Sequence, residues 1–199
     1  AGVQRCGMPA YRLLVETFFP SGDDGRIPTA MMLGTGDIAP ALAATVPLLA
    51  ASGHCIGLGT LARFEVGGKP VRHAAAGEGE RVRAVLSDPR VTLAILQATP
   101  ATIGREGLAI DRWDVGVIML AESNSPEQTG AAPDNSHFQA AEVVAALSRK
   151  AIVLNADDTR ATALVEATRD GPIFWVVPDI DGALSSEYFR PNDAVLAIR

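Results

Sequence analysis

Between Ile27 and Leu42 the chain reads as an apolar strand, a Gly34-Thr35-Gly36 turn and an Ala-rich helix. A strand that feeds a glycine turn directly into a helix aims backbone N–H groups and the positive end of the helix dipole at one point above the turn. That is the frame of a phosphate-binding loop. The chemistry of such a loop needs a Lys to reach the β- and γ-phosphates and a Ser or Thr hydroxyl for magnesium. Here those places hold Ile38 and Ala39. The chain therefore has the frame of a nucleotide site without its charge. The turn residues Gly34, Thr35, Gly36, Asp37, Ile38 and Ala39 are read as a degenerate P-loop.

Bulk properties narrow the function classes. The 199 residues are 48% apolar and 20% charged, enough for the core of one domain, or of one domain and a small appendage. There is no apolar run of about 18 residues, so no membrane span is expected. No signal peptide is visible in the polar start, and Ala1 in place of a methionine points to a fragment or a trimmed chain. The net charge is −6, and Lys69 and Lys150 are the only lysines among 17 Lys and Arg residues. Nucleic-acid binding, which needs clustered cations, is not expected. Two cysteines, Cys6 and Cys55, are too few for a disulfide framework or a zinc site, and a reducing cytoplasm is the expected location. Cys55 reads as a buried, inert thiol in an apolar strand. His54, His73 and His137 have no ligand spacing.

Taken in order, the spacing predicts a short helix over 9–19, then a loop over 20–25 rich in Gly and Asp. Pro28–Leu33 is a buried strand. A helix over 38–52 follows, with Asp37 as its N-cap, Pro40 in its first turn, Pro47 in its interior and Gly53 as its stop. His54–Gly59 is a strand, and Gly67-Gly68 is the turn of a hairpin between Phe64–Val66 and Pro70–Arg72. Glu78–Ser87 is a helix; Val91–Leu96 and Val115–Leu120 are strands. Residues 121–134 form a polar loop, and a helix capped by Asp134, Asn135 or Ser136 runs to about Leu147. Ala151–Leu154 is a strand, Asp157–Thr168 a helix, Ile173–Val177 a strand and Ala194–Ile198 an edge strand. Strands alternating with helices predict an α/β fold: a three-layer, mainly parallel sheet with helices on both faces. The division expected is an N-terminal helix and linker over 1–26 and one domain over 27–199.

Five stretches together resemble one family: Asp24-Gly25-Arg26-Ile27-Pro28, Gly34-Thr35, Gly104-Arg105-Glu106-Gly107-Leu108-Ala109, Asp114-Val115-Gly116-Val117 and Val153-Leu154-Asn155-Ala156-Asp157-Asp158. In order and spacing they look like the central, ATP-binding domain of the Mur ligases, and in particular the Mur-like half of cyanophycin synthetase. The resemblance implies a P-loop NTPase-like central domain, without the family's third, C-terminal domain. It also implies ATP and Mg²⁺ as cofactors of the family, and activation of a carboxylate as an acyl phosphate that an amine attacks.

The family's working parts are replaced at each position. Against its Gly-Thr-Asn-Gly-Lys-Thr-Thr loop this chain keeps only Gly34 and Thr35. The lysine is Ile38, removing a cation that stabilises transferring phosphoryl charge. The magnesium-binding Thr is Ala39, Pro40 lacks an amide donor, and Asp37 sets a negative charge where a polyphosphate would lie. At the second metal position a strand-end Glu is Gln97, whose simpler reading is a strand-end polar residue bonded to backbone. At the third, the His of an Asp-His-Leu-Gly turn is Ser125, with His137 further on as a half-buried residue near a helix cap. What survives is framework: Arg105 and Glu106 as a local pair, Gly107 in a tight turn, and Asn155, Asp157 and Asp158 as the remnant of the segment that contacts adenine and ribose. Asp157 and Asp158 read equally as helix-capping acids. Glu122 and Glu127 read as solvated. No catalytic residue, bound metal or cofactor is expected, the former metal positions being Ala39, Gln97 and Ser125.

Three functions compete. The first is a degenerate domain that has lost Mg-ATP and acts as a scaffold, partnered by its own subunits or by an ATP-grasp half of a longer protein. The second is an active ATP-dependent amide ligase with substitute ligands; Lys69 and Lys150, however, are far from the turn in the expected topology. The third is a module that takes a small nucleotide or peptide in the old cleft, lined by 97–102 and 121–134.

Overall fold

The computed structural model describes residues 25–34, 38–71, 77–119, 135–156, 158, 160–167, 171–177 and 192–197. The expected helix over 9–19, the loop over 121–134 with Ser125, Thr35–Asp37, Arg72 and Asp157 lie outside these residues, as does most of the expected linker. The elements in order are β1 (Thr29–Leu33), α1 (Ala39–Ala51), β2 (Ile56–Gly59), β3 (Phe64–Val66), β4 (Lys69–Pro70), α2 (Glu78–Ser87), β5 (Leu93–Ala98), α3 (Pro100–Glu106), β6 (Trp113–Ile118), α4 (Ser136–Leu147), β7 (Ser148–Asn155), α5 (Ala161–Ala167), β8 (Ile173–Val177) and β9 (Ala194–Ala197). The strands form one sheet in the order β4-β3-β2-β5-β1-β6-β7-β8-β9. Only β3 and β4 run antiparallel to their neighbours. Among the described residues no helix is long and apolar enough to cross a membrane.

The three layers follow from which side chains alternate to which face. β1 sits in the middle, hydrogen-bonded to β5 on one side and β6 on the other. Its side chains Met31 and Leu33 pack with Ala94 and Leu96 of β5, Val85 of α2 and Val144 of α4. Met32 and Ile95 face the other way, onto Ile38 and Leu42 at the start of α1. A strand covered on both faces needs an almost unbroken apolar run, which Thr29-Ala30-Met31-Met32-Leu33 supplies. α1 continues through Pro47, which lies on the exposed side where water can take the carbonyl left without its N–H partner. Gly53, with φ of 90°, ends the helix in the left-handed conformation. The Gly67-Gly68 turn has φ of 57° and 75°, so both central residues are left-handed, as a two-residue hairpin that follows the strand twist requires.

Several boundaries move from their expected places. β5 starts and ends two residues late, at Leu93 and Ala98, so Gln97 is inside the strand, opposite Met32. The N-cap position of α1 is Ile38 and not Asp37, and no side chain caps it. α5 begins at Ala161 and not at Asp157, because Asp158 engages Arg160 before the helix starts. Asn135 occupies the N-cap position of α4 without a side-chain cap bond. β7 begins at Ser148, directly after α4. The Ser148 hydroxyl donates to Val144 O at 2.7 Å, closing the helix end without a loop, and Trp113 Nε1 donates to Ser148 Oγ at 2.8 Å. This buried triad sets the register at the start of β6 and β7, and Gly116 packs against it. A methyl group at 116 would collide with Ser148 Oγ and press on Val144 Cγ1. Gly116→Ala should destabilise the domain by about 1–3 kcal/mol, read as a lower urea midpoint at unchanged slope.

Candidate functional site

The carboxyl ends of β1, β5 and β6 meet where a nucleotide loop would stand. Gly34 follows β1, and a Cβ there would lie 3.2 Å from Met119 O and 3.5 Å from Met119 Cβ. A side chain here would crowd the Met119 backbone, so the glycine suits this close approach of two segments. Gly34 N–H donates to Ala98 O and Met119 N–H donates to Leu33 O, so the central strands are laced together beyond their last residues. Beyond the undescribed Thr35–Asp37, Ile38 is 3% exposed and packs with Met32, Leu42, Ile56, Leu58 and Ile95. The side chain at the lysine position is thus a core residue, directed under the helix and away from solvent. Ala39 and Pro40 are exposed, with Pro40 in the first turn of α1 as expected.

Gln97 is the best-defined group of the site. It is 2% exposed. Its Nε2 donates to Gly34 O at 3.2 Å, and its Oε1 accepts from Leu61 N–H at 3.0 Å. One amide therefore joins the end of β1 to the turn after β2, and each end of it is used on backbone. The reading of Gln97 as a backbone-bonded polar residue describes its geometry. A carboxylate could accept from Leu61, but it has no proton to donate to the Gly34 carbonyl.

The next segment contains an element missing from the sequence reading. α3 is a seven-residue helix in which Thr99, with φ −113° and ψ 154°, is the N-cap, Pro100 opens the first turn and Gly107 stops it. Thr102 N–H donates to Thr99 Oγ1 at 3.1 Å. The Thr-Pro start and the Gly seven residues later were the available signal. Arg105 and Glu106 pair at 2.7 Å, as expected, on an exposed surface. The hydrogen bond from Arg105 holds the Glu106 carboxyl below its usual range. Gly107, with φ of 72°, makes the tight turn.

Of the expected nucleotide remnant, Asn155 and Asp158 lie among the described residues. Asn155 is the last residue of β7, and Asp158 N–H donates to its carbonyl at 3.3 Å. Asp158 is 8% exposed and its carboxylate takes Arg160 in a two-pronged pair, with Nε at 3.1 Å and Nη2 at 3.0 Å. The Arg160 backbone N–H adds a third bond at 2.9 Å. Asp158 thus fastens the turn before α5, and its bond from the Arg160 backbone N–H is of the kind a capping acid makes. His137 is half-buried in the first turn of α4. Cys55 is half-buried rather than buried, one residue before β2. Lys69 lies on β4 at the sheet edge, and Lys150 near the start of β7, the opposite end of the sheet from the turn. No three His, Cys, Asp or Glu side chains are grouped to hold a metal among the described residues. Mg²⁺ with a triphosphate asks for a carboxylate and a lysine. The described residues offer at those positions an amide already bonded at both ends and a buried isoleucine, so they fit the group poorly.

The fold is that of a Mur ligase-like α/β domain. A solved structure of UDP-N-acetylmuramoyl-L-alanyl-D-glutamate–2,6-diaminopimelate ligase matches it with a TM-score of 0.61 at 15% identity, over 86% of this chain and 36% of that one. In sequence the chain is similar to cyanophycin synthetases. It is 24% identical over 172 residues to that of Trichormus variabilis, covering 83% of this chain and 19% of the relative, and 24% identical over 184 residues to that of Synechocystis, covering 90% and 21%. The chain thus spans about a fifth of the length of the curated relatives it matches. No protein-family model matches it.

Because Gln97 is bonded at both ends, its replacement separates shape from charge. Gln97→Leu should cost about 1–3 kcal/mol with little dependence on pH, since it leaves Gly34 O and Leu61 N–H unpaired. Gln97→Glu should cost about 2–4 kcal/mol at neutral pH, where an ionised carboxylate faces the Gly34 carbonyl. Burial raises the folded-state pKa of the introduced carboxyl, so the folded form holds the proton more tightly. The deficit should shrink below about pH 5 and grow as pH rises. Urea unfolding of both variants at acid and neutral pH reads the difference.

Proposed function

We propose that this chain is a Mur ligase-like domain that has lost Mg-ATP binding and serves as a scaffold, assembling with further copies of itself or with an ATP-grasp half that carries out the chemistry. The observation that supports this most strongly is Gln97. A magnesium ligand keeps lone pairs directed at the metal, and here both ends of the amide at that position bond backbone groups. Ile38 supports the same reading, because a side chain packed in the α1 core cannot answer to a phosphate. The likeness to about a fifth of each cyanophycin synthetase is consistent with a domain that works beside other units, without naming them. The cytoplasm is the compartment in which such a scaffold would work.

The alternative of a working amide ligase requires a cation near the turn, and both lysines lie elsewhere in the fold. Calorimetric titration with Mg-ATP separates the two. The scaffold reading expects no saturable binding tighter than about 100 µM, and tighter binding that depends on Mg²⁺ would sink it. The double substitution Ile38→Lys with Ala39→Thr should not create ATP binding. It should instead lower the melting temperature, because the lysine would enter an apolar cluster; a rise in melting temperature on adding Mg-ATP to this variant would contradict the proposal. Light scattering or native mass spectrometry should find an assembly larger than one chain, alone or with an ATP-grasp partner. A strict monomer that binds no such partner would count against scaffolding.

A further inference from the structure

The opposite end of the sheet has its own cavity. About 540 Å³ of space lies between the amino ends of β1, β6 and β7, lined by Gly25 to Thr29, the end of α2 and the start of β7. β1 has five residues, and at roughly 3.3 Å per residue the two ends of the central strand are about 15 Å apart. This cavity is therefore separate from the turn at Gly34.

Four cations line it: Arg26, Arg112, Arg149 and Lys150. They face a single acid in the lining, Asp114, in a chain whose net charge is −6. Arg26 and Lys150 are held by acids beside the cavity. Arg26 Nη1 bonds Asp111 Oδ1 at 2.7 Å, and Lys150 Nζ bonds Asp114 Oδ1 at 2.8 Å. Asp114 is fixed in turn by Thr29 N–H at 2.8 Å. Burial pushes the Asp114 carboxyl up, but the bonds from Lys150 and Thr29 outweigh it and hold the group below its usual range, so it stays ionised. Arg149 is exposed and makes no ion pair among the described residues, while Arg112 is half-buried. Leu86 and Ile110 contribute an apolar wall. An apolar wall beside planar guanidinium groups suits a small organic body that carries oxyanions, which arginine grips in two-pronged fashion.

We propose that this cavity is a binding site for a small organic polyanion, bearing at least two carboxylate or phosphate groups, with Arg149 as a gripping cation and Lys150, positioned by Asp114, beside it. The proposal is independent of what happens at the Gly34 turn. Calorimetric titration of the full chain with pyrophosphate and, separately, with citrate, both at constant ionic strength, tests it. Saturable one-to-one binding with a dissociation constant below about 1 mM is expected for at least one of them. A preference for pyrophosphate assigns a phosphate ligand, and a preference for citrate a carboxylate one. Arg149→Gln, an exposed substitution that should leave the melting temperature unchanged, should weaken binding about tenfold or more. Arg105→Gln, a cation outside the cavity, should have no effect. The proposal fails if neither anion saturates, or if Arg149→Gln and Arg105→Gln weaken binding alike, which is the behaviour of general charge screening.

Discussion

The domain depends on how the carboxyl end of its central strand is satisfied. β1 is flanked by two parallel neighbours and covered on both faces, so the carbonyl at Gly34 cannot turn to bulk water. A buried backbone acceptor left without a partner costs about 1–3 kcal/mol. Gln97 reaches across from β5 to donate to that carbonyl, and at its other end takes the Leu61 N–H. One neutral side chain thereby joins three strand ends. A carboxylate in the same place would be acceptor-only and would suit a metal ion rather than a carbonyl. A neutral amide at this position meets the needs of the fold.

The neighbouring substitutions lead to the same conclusion from a different physical direction. At the start of α1 the first side chain is directed into the core between β1, β2 and β5, and Ile38 fills that space with apolar volume. Close packing in the interior leaves no room for a solvated ammonium group. Polar satisfaction at Gln97 and apolar packing at Ile38 are separate requirements, and both put a neutral side chain at the same end of the sheet.

The charge that the chain does concentrate lies at the other end. Short ion pairs fix Arg26 against Asp111 and Lys150 against Asp114, around a cavity at the amino ends of the strands. Exposed ion pairs add little to stability. Asp114, which also takes the Thr29 backbone N–H, ties the side chain of β6 to the first residue of β1 and so links this charged rim to the sheet register. The two ends of β1 are thus held by different devices, an amide at one and a carboxylate at the other.

Much of the architecture was already legible in the sequence. Apolar runs at Pro28–Leu33 and Ile173–Val177, the Gly67-Gly68 turn and the Glu78–Ser87 helix stand where periodicity and turn chemistry place them, because those signals are local. The resemblance to Mur ligases rested on short segments in order, and the fold agrees with it. What the sequence left open was set by long-range contacts. Gln97 could have been a strand-end ligand or a backbone-bonded amide, and only the approach of Gly34 and Leu61, which are 63 and 36 residues away in the chain, decides between them. Asp158 takes both the guanidinium and the backbone N–H of Arg160 in the turn before α5, a pairing that the sequence did not show. The cationic cavity was not visible at all, since Arg26, Arg112 and Arg149 are scattered along the chain and meet only because β1, β6 and β7 are adjacent in the sheet. Local propensity determines which segments are strands and helices, whereas the partners of a polar side chain depend on which strand ends the sheet topology brings together.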